Sequence, residues 1–600
     1  MLKDDLAILN HPLDTGMLLR KSRGLRRKLR TVAGLEPIRV AVLGGSTTAE
    51  VIKFIDVFLL SNGFDPEFYE SGYNRFFEDA MFDNEALDSF DPQFIYIHTS
   101  SVNIHSWPDP FDSEEAVSAL VESTYEKYES VWKSLKHKYN ATIIQNNFES
   151  PFSRPLGNYD ATIATGRTQF VNRLNAMFAD YARQDESLIL HDLHYQASWF
   201  GLEHWYDKKQ WYAYKYAMNL DVFPLIGESV SAQIRAVLGK SKKCLVCDLD
   251  NTLWGGVVGD DGVDGIRIGN ETPEAEAYRE IQEYVRDLKA RGVILAVCSK
   301  NEKDHAESGF SHPDSVLNAT DFSSFKANWQ SKDRNIGAVA EEINIGKDAL
   351  VFMDDNPVER KLVADNQPEV CVPTIGDDPS RYIELIDKSG YFEITSLNND
   401  DQNRSVMYSQ NKQREEQQSI FSDYSEFLVS LEMKAEIAPF SAMYLPRISQ
   451  LTNKTNQYNL TTKRMSEQEL TLYSESSEYT TLYGRLADIY GDNGLVSVVL
   501  AHQKNRTLHV DLWLMSCRVI KRDFEWAMFF ALKKDAIKRG CDEIIGYFIP
   551  TKKNKLVSKH YEILGFSCIK QNGDGSSVWC LSLLDDVPAP SIAIEITNEM

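Results

Sequence analysis

Three short apolar runs in the middle of the chain each stop at charged or hydroxyl side chains: CLVCDLD (244–250), GVILAVCSKN (292–301) and DALVFMDDN (348–356). A short run without polar alternation suits a parallel strand buried on both faces, and its polar tip is where such a strand emerges at a site. Helical stretches separate the runs. Thr272 suits an N-cap and Pro273 the first helical position; Tyr278, Ile281, Val285 and Leu288 make one stripe, and Gly292 ends it. A second helix is predicted near Lys332, with Ile336, Val339 and Ile343 on one face and Gly346 as its stop. The alternation predicts a parallel sheet whose tips converge on one crevice.

A similar alternation begins at Ile38: IRVAVLGG, FIDVFLLSNG, FDPQFIYIHTSS, a helix over 114–138, then ATIIQNN. At 600 residues a single core is excluded. The chain reads as an α/β domain over 1–240, a second over 241–395, a polar helical connector over 396–429, a mixed strand-and-helix domain over 430–585, and a loose tail over 586–600. Residues 17–30 form a basic, helical lead-in. Sixty-four basic against 88 acidic side chains give a net charge of −24, which argues against general affinity for nucleic acid or an anionic membrane. No apolar run approaches the ~20 residues that span a bilayer. The first ten residues, with Asp4 and Asp5, lack the order of a signal peptide. Eight scattered cysteines are no disulfide framework, so a reducing cytoplasm is expected.

Crowded carboxylates repel unless a cation neutralises them, and oxygen ligands favour a hard ion such as Mg2+, which also screens an incoming phosphate. The pattern Asp248-x-Asp250-Asn251-Thr252, then Ser299, a lysine, and Asp354-Asp355 resembles the haloacid dehalogenase (HAD) superfamily of phosphotransferases. The resemblance implies that Asp248 attacks phosphorus and that Asp250 serves as general acid, then base. It implies that Ser299 and a lysine hold phosphate oxygens, and that Asp354 or Asp355 binds Mg2+ with Asp248 and the carbonyl of Asp250. Lys332, 22 residues before Asp354, is preferred over Lys326. Asn251, Thr252 and Asn301 stand as substrate-binding neighbours.

DLDNTLWGGVVGDDG (248–262) is narrower than the superfamily pattern, and Trp254 with its glycines suggests a small flap that leaves the site open. With LAVCSKN, FKANWQSKDRNI, VFMDDNPVER and LTNKTNQYNLTTKR (451–464), it resembles the FkbH family, HAD subfamily IIIC, over about residues 240–585. This resemblance implies a small phosphorylated metabolite as substrate. The glyceryl unit of 1,3-bisphosphoglycerate is dephosphorylated and placed as a thioester on the phosphopantetheine arm of an acyl carrier protein. Such a scheme uses a thiol, from Cys298, from Cys517, or from no cysteine of this chain; Cys244 and Cys247 read as buried apolar residues. Asn453, Lys454 and Asn456 bind glyceryl hydroxyls or pantetheine amides, or belong to a hydrogen-bonded loop.

The ending YEILGF (561–566) resembles a GNAT acyltransferase, although the turn Arg518–Asp523 lacks the glycines that wrap coenzyme A pyrophosphate. Between Lys504 and His560, 13 Lys/Arg against 6 Asp/Glu form either a docking surface for an acidic carrier or a solvated face. The first domain resembles a degenerate SGNH hydrolase, with Ser46 and Asn103 at strand ends. Asp192 and His194 stand two apart rather than three, and the aromatics of 195–216 read as a packed interface. The expected fold is multi-domain α/β: a HAD-type Rossmann-like parallel sheet flanked by an SGNH-like α/β domain and a GNAT-like α+β domain. Two rival readings remain: a plain Mg2+-dependent phosphatase on a small phosphate ester, and a non-catalytic module of a biosynthetic complex.

Overall fold

The computed structural model describes residues 6–397, 407, 410–411, 413–414, 417–418, 420–455, 457–551, 553–584 and 590–598. These fall into two compact units, Met1–Ala236 with Asp387–Thr395, and Val237–Ile386 with Ser396–Met600. The end of the expected second domain thus packs with the first.

Unit one is built on five parallel strands: β1 (Glu36–Gly44), β2 (Phe64–Glu70), β3 (Phe94–His98), β4 (Thr142–Asn146) and β5 (Leu188–His191), in the order β2-β1-β3-β4-β5. FIDVFLLSNG lies largely in a helix, Ala49–Ser61, whose face from Phe54 to Leu60 is buried. The predicted helix over 114–138 spans Glu114–Lys138, with Ser113 accepting a hydrogen bond from Ala116 N. The basic lead-in is the helix Thr15–Leu29, and part of its charge is spent internally. Arg26 and Arg30 both grip Asp56, whose side chain is fully buried. Leu25 and Leu29 pack with Val57 and Leu60 beside that pair.

Unit two opens with four parallel strands, β6 (Cys244–Cys247), β7 (Ile294–Ser299), β8 (Ser324–Ala327) and β9 (Leu350–Met353), in the order β8-β7-β6-β9. The register puts Cys247 level with both Val297 and Met353, so the next residues of the chain leave the sheet side by side. The helix Pro273–Ala290 is capped by Thr272 and buries the stripe at Tyr278, Ile281, Val285 and Leu288. The helix Lys332–Ile343 ends at Asn344 (φ 55°), earlier than Gly346: an asparagine supplies the left-handed residue that Gly346 was expected to give.

The rest of unit two is one eight-stranded sheet: β10 (Met433–Ala438), β11 (Tyr479–Asp488), β12 (Gly491–Lys504), β13 (Thr507–Met515), β14 (Glu543–Phe548), β15 (Ser567–Gln571), β16 (Ser577–Ser582) and β17 (Ile594–Asn598), ordered β15-β16-β14-β13-β12-β11-β10-β17. Neighbours run antiparallel except β13 with β14 and β10 with β17. The expected loose tail therefore contributes an edge strand. In the connector, Arg414 binds Asp488 through two hydrogen bonds (2.7 and 2.8 Å).

Strands β13 and β14 pair only from Thr507–Val510 to Glu543–Gly546. Beyond that point Tyr458–Leu460 lies between them. Leu460 N donates to Trp513 O (3.0 Å), Met515 N to Tyr458 O (2.9 Å), and Ile549 N to Leu460 O (2.8 Å). Asn554 Nδ2 holds Asn459 O from the side (2.9 Å). The gap that opens between β13 and β14 is occupied by the protein's own backbone. Among the described residues no helix is long and apolar enough to cross a membrane.

Removing one partner from a buried ion pair costs about 3 kcal/mol or more, because the remaining charge stays buried. Replacing both Arg26 and Arg30 by Ala leaves the fully buried Asp56 without a cation, so a loss of ~3 kcal/mol is expected in urea denaturation followed by circular dichroism; an unchanged midpoint would contradict it.

Candidate active site

The tips of β6 and β9 bring together the aspartates that the sequence singles out. One carboxylate oxygen from each of Asp248, Asp354 and Asp355 lies within 4.8 Å of the others. Asp248 and Asp354 are buried. Lys332 enters from the start of its helix, with Nζ 2.9 Å from Asp248 Oδ1 and 2.7 Å from Asp354 Oδ2. At an effective dielectric of ~20, two unit charges 4 Å apart interact by about 4 kcal/mol. One ammonium cannot offset three carboxylates on those terms. Burial, then the charge of Asp248, raises Asp354 and Asp355 above the usual carboxylate range. Burial alone would lower Lys332, but Asp248 and Asp354 outweigh it and the ammonium is held firmly charged.

The donor set consists of hard oxygens with excess negative charge, and it fits a divalent cation such as Mg2+. Asp248, Asp354 and Asp355 are the side chains that would hold it, with the carbonyl of Asp250 as the ligand that the HAD resemblance adds. Such an ion would neutralise the cluster and polarise a phosphoryl group.

Asp250 stands beside this cluster, partly buried, and burial raises its carboxyl. Asn301 Nδ2 donates to its Oδ2 (2.9 Å), and Trp254 Nε1 and Val258 N donate to its Oδ1 (2.9 and 3.0 Å). Asn301 therefore serves Asp250 where a direct substrate contact was expected. Thr252 is fully buried, exchanges hydrogen bonds with Asp355 (3.2 Å each) and fixes that carboxylate. Asn251 adopts φ 57° and accepts from Gly256 N (2.9 Å), closing the flap loop. The hydrogen bonds that both make in the structure are to the protein itself. Ser299 ends β7 and is 2% exposed.

Other expected residues fall elsewhere. Lys326 pairs with Glu342 (2.7 Å) from β8 and takes no part in the cluster. Cys298 is fully buried in the core with Ile336, Val339 and Phe352, and burial pushes its thiol well up, so it does not suit an acyl-carrying nucleophile. The side chain of Cys517 lies outside the described residues, as do that of Lys454 and all of Asn456. Asn453 spends its amide on Ser449 O (3.1 Å) within its own helix. With Thr461 donating to Asp511 O (2.7 Å) and Arg464 to Thr452 O (2.8 Å), the described part of this segment is a loop network. In the basic stretch, Arg506, Arg522, Arg539 and Lys553 are paired with carboxylates, while Lys534, Lys538, Lys555 and Lys559 are exposed.

Two residues escaped notice in the sequence. Arg360 Nη1 donates to the carbonyls of Asp354 (2.7 Å) and Asp355 (2.6 Å), bracing the metal loop from one turn into the next helix. Glu359 holds Lys300 (2.5 Å). Both lie in VFMDDNPVER, where a charged pair facing back over a helix start is the available signal.

In unit one, Ser46 is buried, and among the described residues nothing hydrogen-bonds its Oγ. Asn103 Nδ2 is spent on Gly45 O (2.8 Å) and Asn74 Oδ1 (3.3 Å). Asp192 caps a helix and accepts from Asn147 Nδ2 (2.8 Å), while His194 Nδ1 donates to Phe148 O (3.3 Å). These groups do not assemble into a triad.

Residues 39–234 match the family model described as FkbH, N-terminal domain. No curated protein matches. Among solved structures, the chain is similar to the N-terminal part of BF1531 from Bacteroides fragilis, which contains a phosphatase domain complexed with Mg. The two are 29% identical, covering 63% of this chain and 99% of that one, with a TM-score of 0.59. It also matches the ribosomal-protein-S18-alanine N-acetyltransferase of Escherichia coli (13% identity, 25% of this chain and 94% of that one, TM-score 0.20) and the GNAT domain of S. lividans PAT (13%, 24% and 89%, 0.21).

A carboxyl raised by folding binds protons in the native state, so stability falls as pH rises past the ordinary carboxylate range. Mg2+ should therefore raise the melting temperature more at pH 8 than at pH 5; equal increments at both pH values would contradict this. Lys332→Ala should lower phosphatase activity by ~100-fold or more, and Lys326→Ala by less than ~3-fold.

Residues 39–234 thus resemble the FkbH N-terminal domain, and 63% of the chain is similar in fold to a solved structure that contains a phosphatase domain.

Proposed function

We propose that this protein is an Mg2+-dependent phosphatase that works through an aspartyl-phosphate and is coupled to glyceryl transfer. The observation that carries the phosphatase half is the cluster of Asp248, Asp354 and Asp355 around Lys332, with Asp250 alongside. Asp248 attacks phosphorus as the ester oxygen leaves with a proton from Asp250. Asp250 then takes a proton from water, whose oxygen displaces the phosphoryl group from Asp248 and releases inorganic phosphate. Lys332 and Ser299 hold the phosphate oxygens. Neutralising the carboxylates is the bound ion's contribution.

The FkbH likeness supports the finer reading, in which the substrate is the glyceryl unit of 1,3-bisphosphoglycerate and the product a thioester on an acyl carrier protein. The burial of Cys298 favours direct capture of the acyl group by the carrier's own phosphopantetheine thiol, which attacks the acyl-phosphate carbon and expels phosphate. The exposed lysines between Lys534 and Lys559 favour an acidic carrier. The filled gap between β13 and β14 favours a second reading, a plain phosphatase with a structural third domain.

Incubation with Mg2+, 1,3-bisphosphoglycerate and a phosphopantetheinylated carrier, followed by weighing the carrier, separates the two. A glyceryl adduct is expected, with a phosphoglyceryl adduct in Asp248→Asn, and loading should weaken as salt rises. Phosphate release without an adduct would favour the plain phosphatase. An adduct abolished by Cys298→Ala in a folded protein would overturn direct capture.

A further inference from the structure

Asp250 presents its two carboxyl oxygens to unlike surroundings. Oδ1 accepts from the indole Nε1 of Trp254 (2.9 Å) and from Val258 N (3.0 Å); among the described residues, Oδ2 accepts from Asn301 Nδ2 alone (2.9 Å). A carboxyl oxygen offers two in-plane lone pairs, and indole and main-chain N–H groups only donate. Oδ1 has both lone pairs committed and no place for a proton. Oδ2 retains one.

The indole is itself held firmly. Trp254 is fully buried, and its ring meets Phe310 edge-on, centroids 5.1 Å apart at 79°. Gly309, the last residue of a short helix, lies flush against it: a Cβ there would come within 2.7 Å of the indole Cη2 and Cζ2. An isolated bridge between Asp250 and Trp254 ties the two backbones.

We propose that Trp254, braced by Gly309 and Phe310, is a positioning residue of the phosphatase reaction: it saturates Oδ1 of Asp250, so that Oδ2 alone carries the proton. The inference rests on the phosphatase reading above. In the first half-reaction the bond from phosphorus to the leaving oxygen breaks, the bond to Asp248 forms, and the Oδ2 proton passes to the leaving oxygen. In the second, water's proton passes to Oδ2 as its oxygen replaces Asp248 on phosphorus. The tryptophan touches neither substrate nor ion. It sets which oxygen faces them.

The value of kcat/KM reports on steps through departure of the leaving group, and an alkoxide needs the proton far more than a nitrophenolate does. The full-length protein with Mg2+ is therefore compared on glycerol 3-phosphate and on p-nitrophenyl phosphate. Trp254→Phe should lower kcat/KM for the alkyl ester by ~10–100-fold and for the aryl ester by less than ~3-fold. Impaired water activation should lower kcat for both. Gly309→Ala keeps the indole N–H but displaces it, and should give the same split even if Trp254→Phe fails to fold; thermal unfolding and Mg2+ binding report on each variant. An equal loss of kcat/KM on both esters in a folded variant, or no loss on either, overturns the proposal. Asp250→Asn separates the two levels: if alkyl ester hydrolysis survives it, or if the unaltered protein hydrolyses neither ester, the phosphatase reading itself falls.

Discussion

Asp248 and Asp354 share one ammonium at the tips of β6 and β9 with Asp355 beside them, and much of the domain built on β6–β9 can be understood as what that arrangement demands. Parallel strands in register put Asp248 and Asp354 side by side. The helix that follows β8 begins with Lys332 and so delivers a cation to both. Thr252 and Arg360 take up the remaining main-chain and carboxylate groups of the loop, which stops like charges from splaying apart. The same repulsion that makes the cluster costly makes it receptive to a cation and, through it, to a phosphate.

The strand tips were legible in the sequence because a doubly buried strand has to stop being apolar where it meets the site. The choice of Lys332 over Lys326 was legible too, since a lysine at a helix start has a defined direction while one within a strand depends on its neighbours; Lys326 found Glu342. What stayed hidden are partnerships between residues distant in the chain. Thr252 and Asp355 are 103 positions apart, and nothing local to either announces the other. Trp254 read as part of a flap because an indole's packing is visible in a motif but the target of its N–H is not. The tail was read as loose because Ile594–Asn598 is a strand only by virtue of β10, more than 150 residues earlier. Cys298 occupies the alternate face from Ser299, where parity along the strand puts it in the core.

The first domain illustrates the converse. Ser46 and Asn103 come close, as their strand ends suggested, yet Asn103 is committed to the neighbouring backbone and His194 to Phe148 O. Strand-end residues can be recognised from a pattern, but whether their polar atoms are free for chemistry depends on loops that no strand pattern specifies. The FkbH family match falls on this domain, whereas the motifs that carry the resemblance lie in the domains built on β6–β9 and β10–β17.

Tyr458–Leu460 has a consequence of another kind. Where β13 and β14 part, each exposes main-chain groups facing a gap, and such edges invite pairing with any extended chain nearby, including another copy of the same protein. The inserted residues remove that invitation by satisfying Trp513, Met515 and Ile549 internally. Shortening this loop to open the cleft would trade a closed sheet for two sticky borders, and the price would be self-association.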